Sequence, residues 1–305
     1  MGGFALSARP CVRRERDRDG RTTHDPDEHG SRAWGGASHR SRRPGADRGV
    51  GDVLGAAARV GGLGLVKRTD FAPSTIESPL LAIELSQRSG GAAVIDAAGD
   101  VHTVGFEGGR RDRDDVLPGI HAVLAQAGIA ASALRTVAVD VGPGGFTGLR
   151  ISIAAAQAIA EVAGAVVVGV PGAVVAAAGT PSLREATGEI IVLSAAKAGT
   201  AWRTRLGRET TDRGWRIIGD PGIVDRADDV GCAAVIADEH VPSELVRSAI
   251  FDPPILAPSF EATAVARVAL DGGPDLLVHS DPARLMPIYP REPEAVRRWR
   301  ERPAR

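Results

Sequence analysis

The sequence predicts an α/β protein of two lobes, preceded by a disordered N-terminal extension. Two observations indicate this class. From about Leu80 onward, short apolar runs typical of strands alternate with longer segments of helical period. Residues 1–50 instead carry 11 Arg and 7 acidic side chains without apolar periodicity. Such a composition buries too little apolar surface to offset the entropy cost of ordering the chain.

The first lobe is predicted to begin with three strands. Leu80–Ser86 is a short apolar run, and Ala92–Asp96 follows it after the glycine pair at positions 90 and 91. Val101–Glu107 forms the third run after a polar turn. Strands that are joined by tight turns form an antiparallel meander.

Helices and strands alternate over the rest of this lobe. Asp114–Ala127 has a helical apolar period, with Pro118 in its first turn, where the missing N–H costs little. The elements predicted next are strand Arg135–Val141, helix Thr147–Val162, strand Ala165–Val170 and helix Gly172–Ala178. The order β-β-β-α-β-α-β-α predicts one lobe of the ribonuclease H-like, actin-like fold.

The second half of the chain shows a similar but weaker pattern of strands followed by a helix. Its predicted elements are strands Glu189–Ala195, Thr200–Leu206, Trp215–Ile218 and Ala233–Ala237, and helix Glu261–Leu270. The predicted organisation is a disordered extension over 1–78, a first lobe over 79–180 that carries a glycine turn, a smaller lobe over 181–291 and a basic tail over 292–305. Each lobe has an ordinary domain size.

Composition excludes several kinds of protein. The whole chain has a formal net charge of −1, and residues 51–305 are acidic because the excess of Arg lies in the first fifty. An acidic lobe disfavours direct binding to tRNA, since such binding depends on neutralising phosphates. Cys11 and Cys232 form no CxxC motif. The apolar run Ala165–Gly179 is too short for a membrane span, so we expect no membrane segment. Two distant cysteines make a disulfide framework unlikely, which indicates a reducing compartment and predicts a cytoplasmic protein.

The most informative segment is the glycine turn, with the sequence GPGGFTGLR. Its motif residues are Gly142, Pro143, Gly144, Gly145, Phe146, Thr147, Gly148 and Arg150. A phosphate-binding Walker A loop is excluded, because Leu149 and Arg150 stand where Lys and Ser or Thr would be required. The turn leads from a buried strand to a helix N-terminus, where free N–H groups can meet an anion or a carbonyl of a partner.

This segment resembles the GPGSFTGLR signature of the TsaB (YeaZ) family, which is related to the glycoprotease-like TsaD family. The resemblance extends to an opening strand, an Ala-rich helix, a following strand and a closing Pro-x-Tyr-x-Arg motif, at Leu81–Ser86, Arg150–Ala160, Val168–Val170 and Pro287–Arg291. Some positions depart from the family pattern. Glu84, Asp112, Gly145, Ala195 and Thr200 stand where Asp, His, Ser, Asp and Glu are usual.

The resemblance implies a non-catalytic subunit that binds a TsaD-like catalytic subunit and supports threonylcarbamoyl transfer to the adenosine next to the anticodon of tRNA. It also implies indirect contact with tRNA, no cofactor bound by the chain alone and ATP or ADP only in the partner complex. The partner surface is expected on the helix after the glycine turn, at Ile151, Ala155 and Ile159. A homodimer through the same helices is the other assembly that the resemblance implies.

Two enzyme classes with this fold remain as alternatives: an ATP-dependent phosphotransferase and a metal-dependent TsaD-like enzyme. The second needs two His at i and i+4 on a helix, yet Ala125 stands four residues after His121. We therefore predict no catalytic residue and no metal site. Asp140 is expected to cap the glycine turn through backbone hydrogen bonds rather than to act as a base. For Arg150 we expect a nearby carboxylate partner, with nucleotide or tRNA as the alternative.

Overall fold

The computed structural model describes residues 76–107, 115–227, 231–247, 252–290 and 299–300. Predictions for residues 1–75 of the extension, for Asp112, for the first residue of helix Asp114–Ala127, for Arg291 and for most of the basic tail lie outside these residues. Residues 76–78, which were predicted to belong to the extension, are described, and Ile76 packs against the core of the first lobe. The strands are β1 (Leu80–Glu84), β2 (Ser89–Ile95), β3 (Val101–Glu107), β4 (Thr136–Asp140), β5 (Val166–Val170), β6 (Gly188–Ala195), β7 (Ala201–Arg208), β8 (Arg216–Ile217), β9 (Gly222–Val224), β10 (Ala234–Ile236), β11 (Ile255–Leu256) and β12 (Leu277–His279). The helices are α1 (Val116–Ala127), α2 (Phe146–Ala163), α3 (Gly172–Gly179), α4 (Ser243–Val246) and α5 (Ala262–Asp271).

The first sheet contains six strands in the order β12-β5-β4-β1-β2-β3. β1, β2 and β3 form the predicted antiparallel meander. β1 is also parallel to β4, and β4 is parallel to β5. Every residue of β1 and β4 is buried, as is usual for central strands that are covered on both faces.

Helices cover both faces of the first sheet. Because successive side chains of a strand point to opposite faces, Leu81 and Ile83 of β1 join the core beneath α1 and α2. Leu80 and Ala82 join the core beneath α5 on the other face. The buried stripe of α2 has helical spacing and consists of Leu149, Ile153, Ala156 and Ala160, with Ser152 beside it.

The second sheet has the order β11-β10-β6-β7-β8, and β9 pairs with β7. β6 and β7 form an antiparallel hairpin, while β10 is parallel to β6. The apolar helix α3 packs against both sheets. Val174 contributes to the core of the second sheet, and Val175 contributes to the α5 side of the first. A helix that is apolar all round is thus buried between the two lobes.

The C-terminal part of the chain returns to the first sheet. α5 packs on this sheet, and β12 pairs with its edge strand β5. Residues 181–291 were predicted to form the second lobe, but α5 and β12 belong to the first sheet. The return was not predicted because β12 has three residues, too few to show the alternation of a strand.

Arg208 fastens the segment between the lobes to the turn that follows β7. Its side chain donates to the carbonyl oxygens of Leu183, Arg184, Ala186, Thr210, Thr211 and Arg213. The guanidinium carbon also lies 5.7 Å from the centroid of the Trp215 ring. A flat group with five N–H donors can serve several carbonyls at once, which an ammonium cannot do in the same geometry.

We expect Arg208→Ala to lower the free energy of unfolding by about 2–4 kcal/mol, because several carbonyls lose a charged donor together. Urea-induced unfolding measures the change. Arg216→Ala is the matched control, since Arg216 forms an exposed ion pair with Glu209. Such a pair contributes roughly 0–1 kcal/mol. Equal losses in the two variants would contradict a bridging role for Arg208.

Candidate functional site

The glycine turn is fixed at both ends by hydrogen bonds. Gly142 adopts a φ of 87°, a conformation that favours glycine. Its N–H donates to Oδ1 of Asp140 at 2.6 Å, and its carbonyl accepts from the N–H of Gly172 at 2.8 Å. The N–H of Gly145 donates to the carbonyl of Ser86 at 2.7 Å. Asp140 therefore caps the turn as predicted, and the turn is tied to the segment after β1.

Two glycines allow α2 to begin close against that segment. A Cβ at Gly144 would lie 2.5 Å from the carbonyl oxygen of Ser86, and a Cβ at Gly148 would collide with the carbonyl oxygen of Leu85. Gly145 differs, because a Cβ there would meet Ser86 at an ordinary 3.4 Å. The signature glycines thus set the separation between two backbones, whereas position 145 has room for the serine of the related family.

Two carboxyl groups are buried behind the turn, at the ends of the neighbouring strands β1 and β4. Glu84 and Asp140 are both 0% exposed. Oε1 of Glu84 accepts from the N–H of Ser86 at 2.7 Å and from its hydroxyl at 2.5 Å. Oε2 of Glu84 and Oδ2 of Asp140 are buried without a hydrogen-bond partner. Each carboxyl thus supports one loop and keeps one unsatisfied oxygen next to a like group.

Burial dominates the titration of this pair. It raises the pKa of the Glu84 carboxyl, against the lowering effect of the Ser86 donors. Burial, and then the charge of Glu84, raise the pKa of Asp140 well above its ordinary value. The cause is the cost of placing charge in a low-dielectric interior, with repulsion between like charges added. The pair therefore retains protons more readily than exposed carboxyls do.

The geometry of the pair favours a structural role over chemistry. A general base must reach a proton of its substrate, and neither carboxyl has an exposed surface. Within the described part of the chain, no group of three or more His, Cys, Asp and Glu side chains could hold a metal ion. The prediction that the chain has no catalytic residue and no metal site remains a prediction.

A cleft of about 290 Å³ lies in front of the turn, between the first and second sheets. It is lined by Gln87, Pro143, Gly144, Gly145, Val192, Leu193, Ser194, Ala195, Asp238, His240, Pro258, Phe260 and Pro290. Neither Lys nor Arg is among these lining residues, so the cleft offers little positive charge to a phosphate chain. Two residues that differ from the family pattern lie on or near the β6–β7 hairpin. Ala195 lines the cleft. Thr200 lies in the β6–β7 turn, where its hydroxyl donates to the carbonyl of Lys197 at 2.9 Å.

The outer side of α2 presents apolar and small residues to solvent. Its exposed residues include Phe146, Ile151, Ala154, Ala158 and Val162, and we call this set the α2 face. By length and composition α2 could also cross a membrane, a property that it shares with core helices of soluble proteins. Its inner stripe packs on the first sheet, so the α2 face and the exposed polar residues of the same helix, Thr147, Arg150 and Glu161, are open to another molecule.

The predicted interface residues differ in how much of each side chain is exposed. Ile151 is 36% exposed. Ala155 and Ile159 are only partly buried and pack against the core of the first lobe, so they lie at the margin of the α2 face. Val162, which is 82% exposed, was not among the predicted interface residues. Its position eleven residues after Ile151, three turns of the same face, was the signal that could have identified it.

Arg150 lies in a cluster with two aromatic rings at the start of the α2 face. Its guanidinium carbon is 3.9 Å from the centroid of the Phe146 ring, and its Nε donates to the Tyr289 hydroxyl at 3.0 Å. The two ring centroids are 5.5 Å apart. The expected pairing with a nearby carboxylate is wrong for the described residues, since the recorded contacts of Arg150 are aromatic and hydroxyl groups. The hydroxyl lies 139 residues away in sequence, so helical spacing could not reveal it.

Residues 282–290 form a C-terminal strap that crosses α2 and carries Tyr289. Gln157 of α2 donates to the carbonyls of Pro282 and Leu285, each at 3.0 Å. The N–H of Ile288 donates to the carbonyl of Val141 at 2.8 Å, next to the glycine turn. The strap therefore holds the closing motif against the turn and completes the cluster.

The sequence was compared with protein-family models and with curated proteins. Residues 108–210 match the family model of TsaD, tRNA N6-adenosine threonylcarbamoyltransferase, a range that includes α1, the glycine turn, α2 and α3. No curated protein matches the sequence.

Two solved structures have the same fold. One is an uncharacterized protein with similarity to peptidase YEAZ from Pseudomonas aeruginosa; it is 21% identical, with a TM-score of 0.54 over 70% of this chain and 99% of that chain. YeaZ from Pseudomonas aeruginosa is 20% identical, with a TM-score of 0.54 over 69% of this chain and 98% of that chain. Together with the two described sheets, these matches confirm the predicted actin-like, ribonuclease H-like fold of two lobes.

Proposed function

We propose that this chain, a TsaB/YeaZ-like protein, is a non-catalytic subunit that binds a TsaD-family protein and supports threonylcarbamoyl transfer to adenosine in tRNA. The family match over residues 108–210 supports involvement in this tRNA modification. The fold shared with YeaZ over nearly the whole of that protein supports the subunit assignment. In this proposal the TsaD-family partner carries the chemistry and the main contact with tRNA.

The observation that carries the proposal is the α2 face. Ile151 and Val162, which are 36% and 82% exposed, lie three turns apart on one side of the helix with Ala154 and Ala158 between them. Phe146, which is 50% exposed, adds an apolar side chain at the start of the helix. Apolar surface in water is unfavourable by about 25 cal/mol per Å², and a contiguous exposed apolar patch usually marks a contact site. The alanines at positions 154 and 158 leave room for a second helix to approach closely.

Two features favour a binding role over a catalytic one. The only carboxyls at the ends of β1 and β4, Glu84 and Asp140, are buried out of reach of a substrate. The cleft in front of the turn is lined without Lys or Arg, whereas phosphoryl transfer depends on cations that hold the phosphates. Turnover of ATP by the isolated chain would support the alternative, a phosphotransferase with this fold.

Ile151→Glu is expected to abolish co-purification with the TsaD-family protein of the same cell and to weaken binding at least about tenfold, since a charge would enter a desolvated contact. Isothermal titration calorimetry measures the affinity. Ile223→Glu is the matched control, because Ile223 lies on β9 of the second sheet and is 38% exposed, close to the 36% of Ile151.

The two variants separate a local effect from a general one. A complex that is lost with Ile151→Glu and kept with Ile223→Glu supports a partner interface on the α2 face. A complex that forms equally well with both variants places the interface elsewhere. If the folded wild-type chain forms no complex with the TsaD-family protein, the proposed subunit function is wrong.

A further inference from the structure

In the cluster of Phe146, Arg150 and Tyr289, the terminal amino groups of Arg150 have no hydrogen-bond acceptor among the described residues. Arg150 has five N–H donors, and its contacts among the described residues occupy only the Nε–H and one face of the guanidinium. No carboxylate of the described residues pairs with it. The two terminal amino groups, Nη1 and Nη2, therefore remain available at the exposed start of α2.

The cluster also holds Arg150 in one orientation. Phe146 and Arg150 are four residues apart and share a helical face, and the ring supports the guanidinium plane from below. The Tyr289 hydroxyl fixes its Nε edge, and the strap fixes Tyr289 through Gln157 and Ile288. A flexible arginine loses side-chain entropy when it binds. In this cluster much of that entropy has already been lost in the free protein.

The free edge of a fixed guanidinium matches a carboxylate. Two parallel N–H groups bind two carboxylate oxygens in a bidentate pair, which is shorter and stronger than an ordinary hydrogen bond. Exposed apolar side chains lie close by in sequence, with Ile151 next in the helix and Met286, 65% exposed, three residues before Tyr289 in the strap. When a partner covers these side chains, water is removed from around the pair and its electrostatic attraction increases.

The surroundings favour a protein carboxylate over an RNA phosphate. Arg150 is the only Lys or Arg in α1 and α2, and binding to a nucleic-acid backbone requires several cations. An apolar helical surface with a single oriented cation instead has the composition of a protein interface, in which aromatic residues and Arg are enriched.

The geometry points to a preorganised carboxylate receptor, formed by Phe146, Arg150 and Tyr289, that binds an Asp or Glu side chain of the partner protein. This inference rests on the proposed function and adds the chemistry of the partner at this end of the α2 face. It implies an acidic residue on the partner surface, bordered by apolar side chains that cover Ile151 and Met286. It also assigns Tyr289 a positioning role, because its hydroxyl orients the arginine.

The test is calorimetric titration of the full chain with the TsaD-family protein of the same cell. We expect Arg150→Gln to weaken binding at least about tenfold, as for the loss of one member of a desolvated charge pair. Arg150→Lys should recover little, because an ammonium cannot form the bidentate pair. Tyr289→Phe should show a smaller loss. Arg267→Gln on α5 is the matched control, since Arg267 is also exposed and donates through Nε to a neighbouring carbonyl.

A charge swap identifies the carboxylate. Arg150→Glu should abolish binding, and one Asp→Arg or Glu→Arg variant of the partner should restore it at least about tenfold. Binding of Arg150→Gln within twofold of wild type would overturn the receptor while leaving the proposed function intact. Loss of tRNA binding with unchanged protein affinity would overturn it in favour of a phosphate site. A wild-type chain that binds no TsaD-family protein overturns both proposals.

Discussion

Gly148→Ala is expected to lower the free energy of unfolding by about 3 kcal/mol or more, at the upper end of what overpacking usually costs. Gly148 lies in the first turn of α2, and a Cβ there would collide with the carbonyl oxygen of Leu85. The obstacle is backbone at the end of the central strand, so no rotamer change can relieve the clash. α2 would have to move outward, and the hydrogen bond between Gly145 and Ser86 would be strained.

Urea-induced unfolding measures this effect, and Gly145→Ser provides the matched control. At position 145 a Cβ has ordinary contact with Ser86, and φ is −63°, which any residue adopts. Gly145 is also the N-cap of α2, where serine is slightly better than glycine, by a few tenths of a kcal/mol. We expect unchanged or slightly increased stability for Gly145→Ser. Wild-type stability of Gly148→Ala would show that the close approach of α2 to β1 is incorrect.

The second large effect concerns the buried pair of Glu84 and Asp140 and is a loss of stability as the pH rises. The folded-state pKa of each carboxyl is raised above its ordinary value. The native state therefore binds more protons than the unfolded state between the unfolded and folded pKa values. Stability is fully present below the unfolded value and is lost as the pH rises through the folded one, by about 1.4 kcal/mol per pH unit for each proton released on unfolding.

Urea unfolding over a pH series tests this sign. Asp140→Asn should reduce the slope, because the amide keeps the acceptor for the N–H of Gly142 and removes one charge. A wild-type protein that becomes more stable with rising pH in this range would show that the carboxyls are stabilised as anions and not as protonated groups.

The sequence predicted most of the first lobe because its signals are local. β3 was predicted at its observed bounds, and the predicted α2 differs by one residue at each end. β1 was predicted to continue to Ser86 because the apolar run includes Leu85, and Leu85 is buried in the structure. Strand pairing stops at Glu84, because its side chain binds the N–H and hydroxyl of Ser86 and turns the chain. A propensity pattern does not show such a local competition.

The missing elements of the second lobe are short. β9, β11 and α4 were not predicted, and they contain three, two and four residues. Segments of this length carry too little periodicity to indicate a strand or a helix. Tertiary pairing with β7 and β10, rather than local propensity, holds the two strands in place.

For the candidate site, the sequence pointed to α2 but could not indicate how the helix is oriented. α2 is apolar on most sides, so its composition could not reveal which stripe is buried. The structure assigns Leu149 and Ile153 to the inside and Ile151 and Val162 to the outside. The partners of Arg150 were also beyond local reasoning, because Tyr289 approaches only through the fold. The glycine-turn motif therefore indicated the candidate segment, whereas long-range packing determines which side chains meet there.

The return of α5 and β12 to the first sheet also determines the order in which a ribosome can complete this molecule. The second sheet ends at Leu256, so all its strands emerge before α5. Until residues 262–269 emerge, one side of β1 lacks the alanine-rich cover that packs on Leu80 and Ala82. The lobe that is begun first is therefore finished last. A partner that recognises α2 on a complete lobe, with the strap across it, selects chains whose synthesis has passed both lobes.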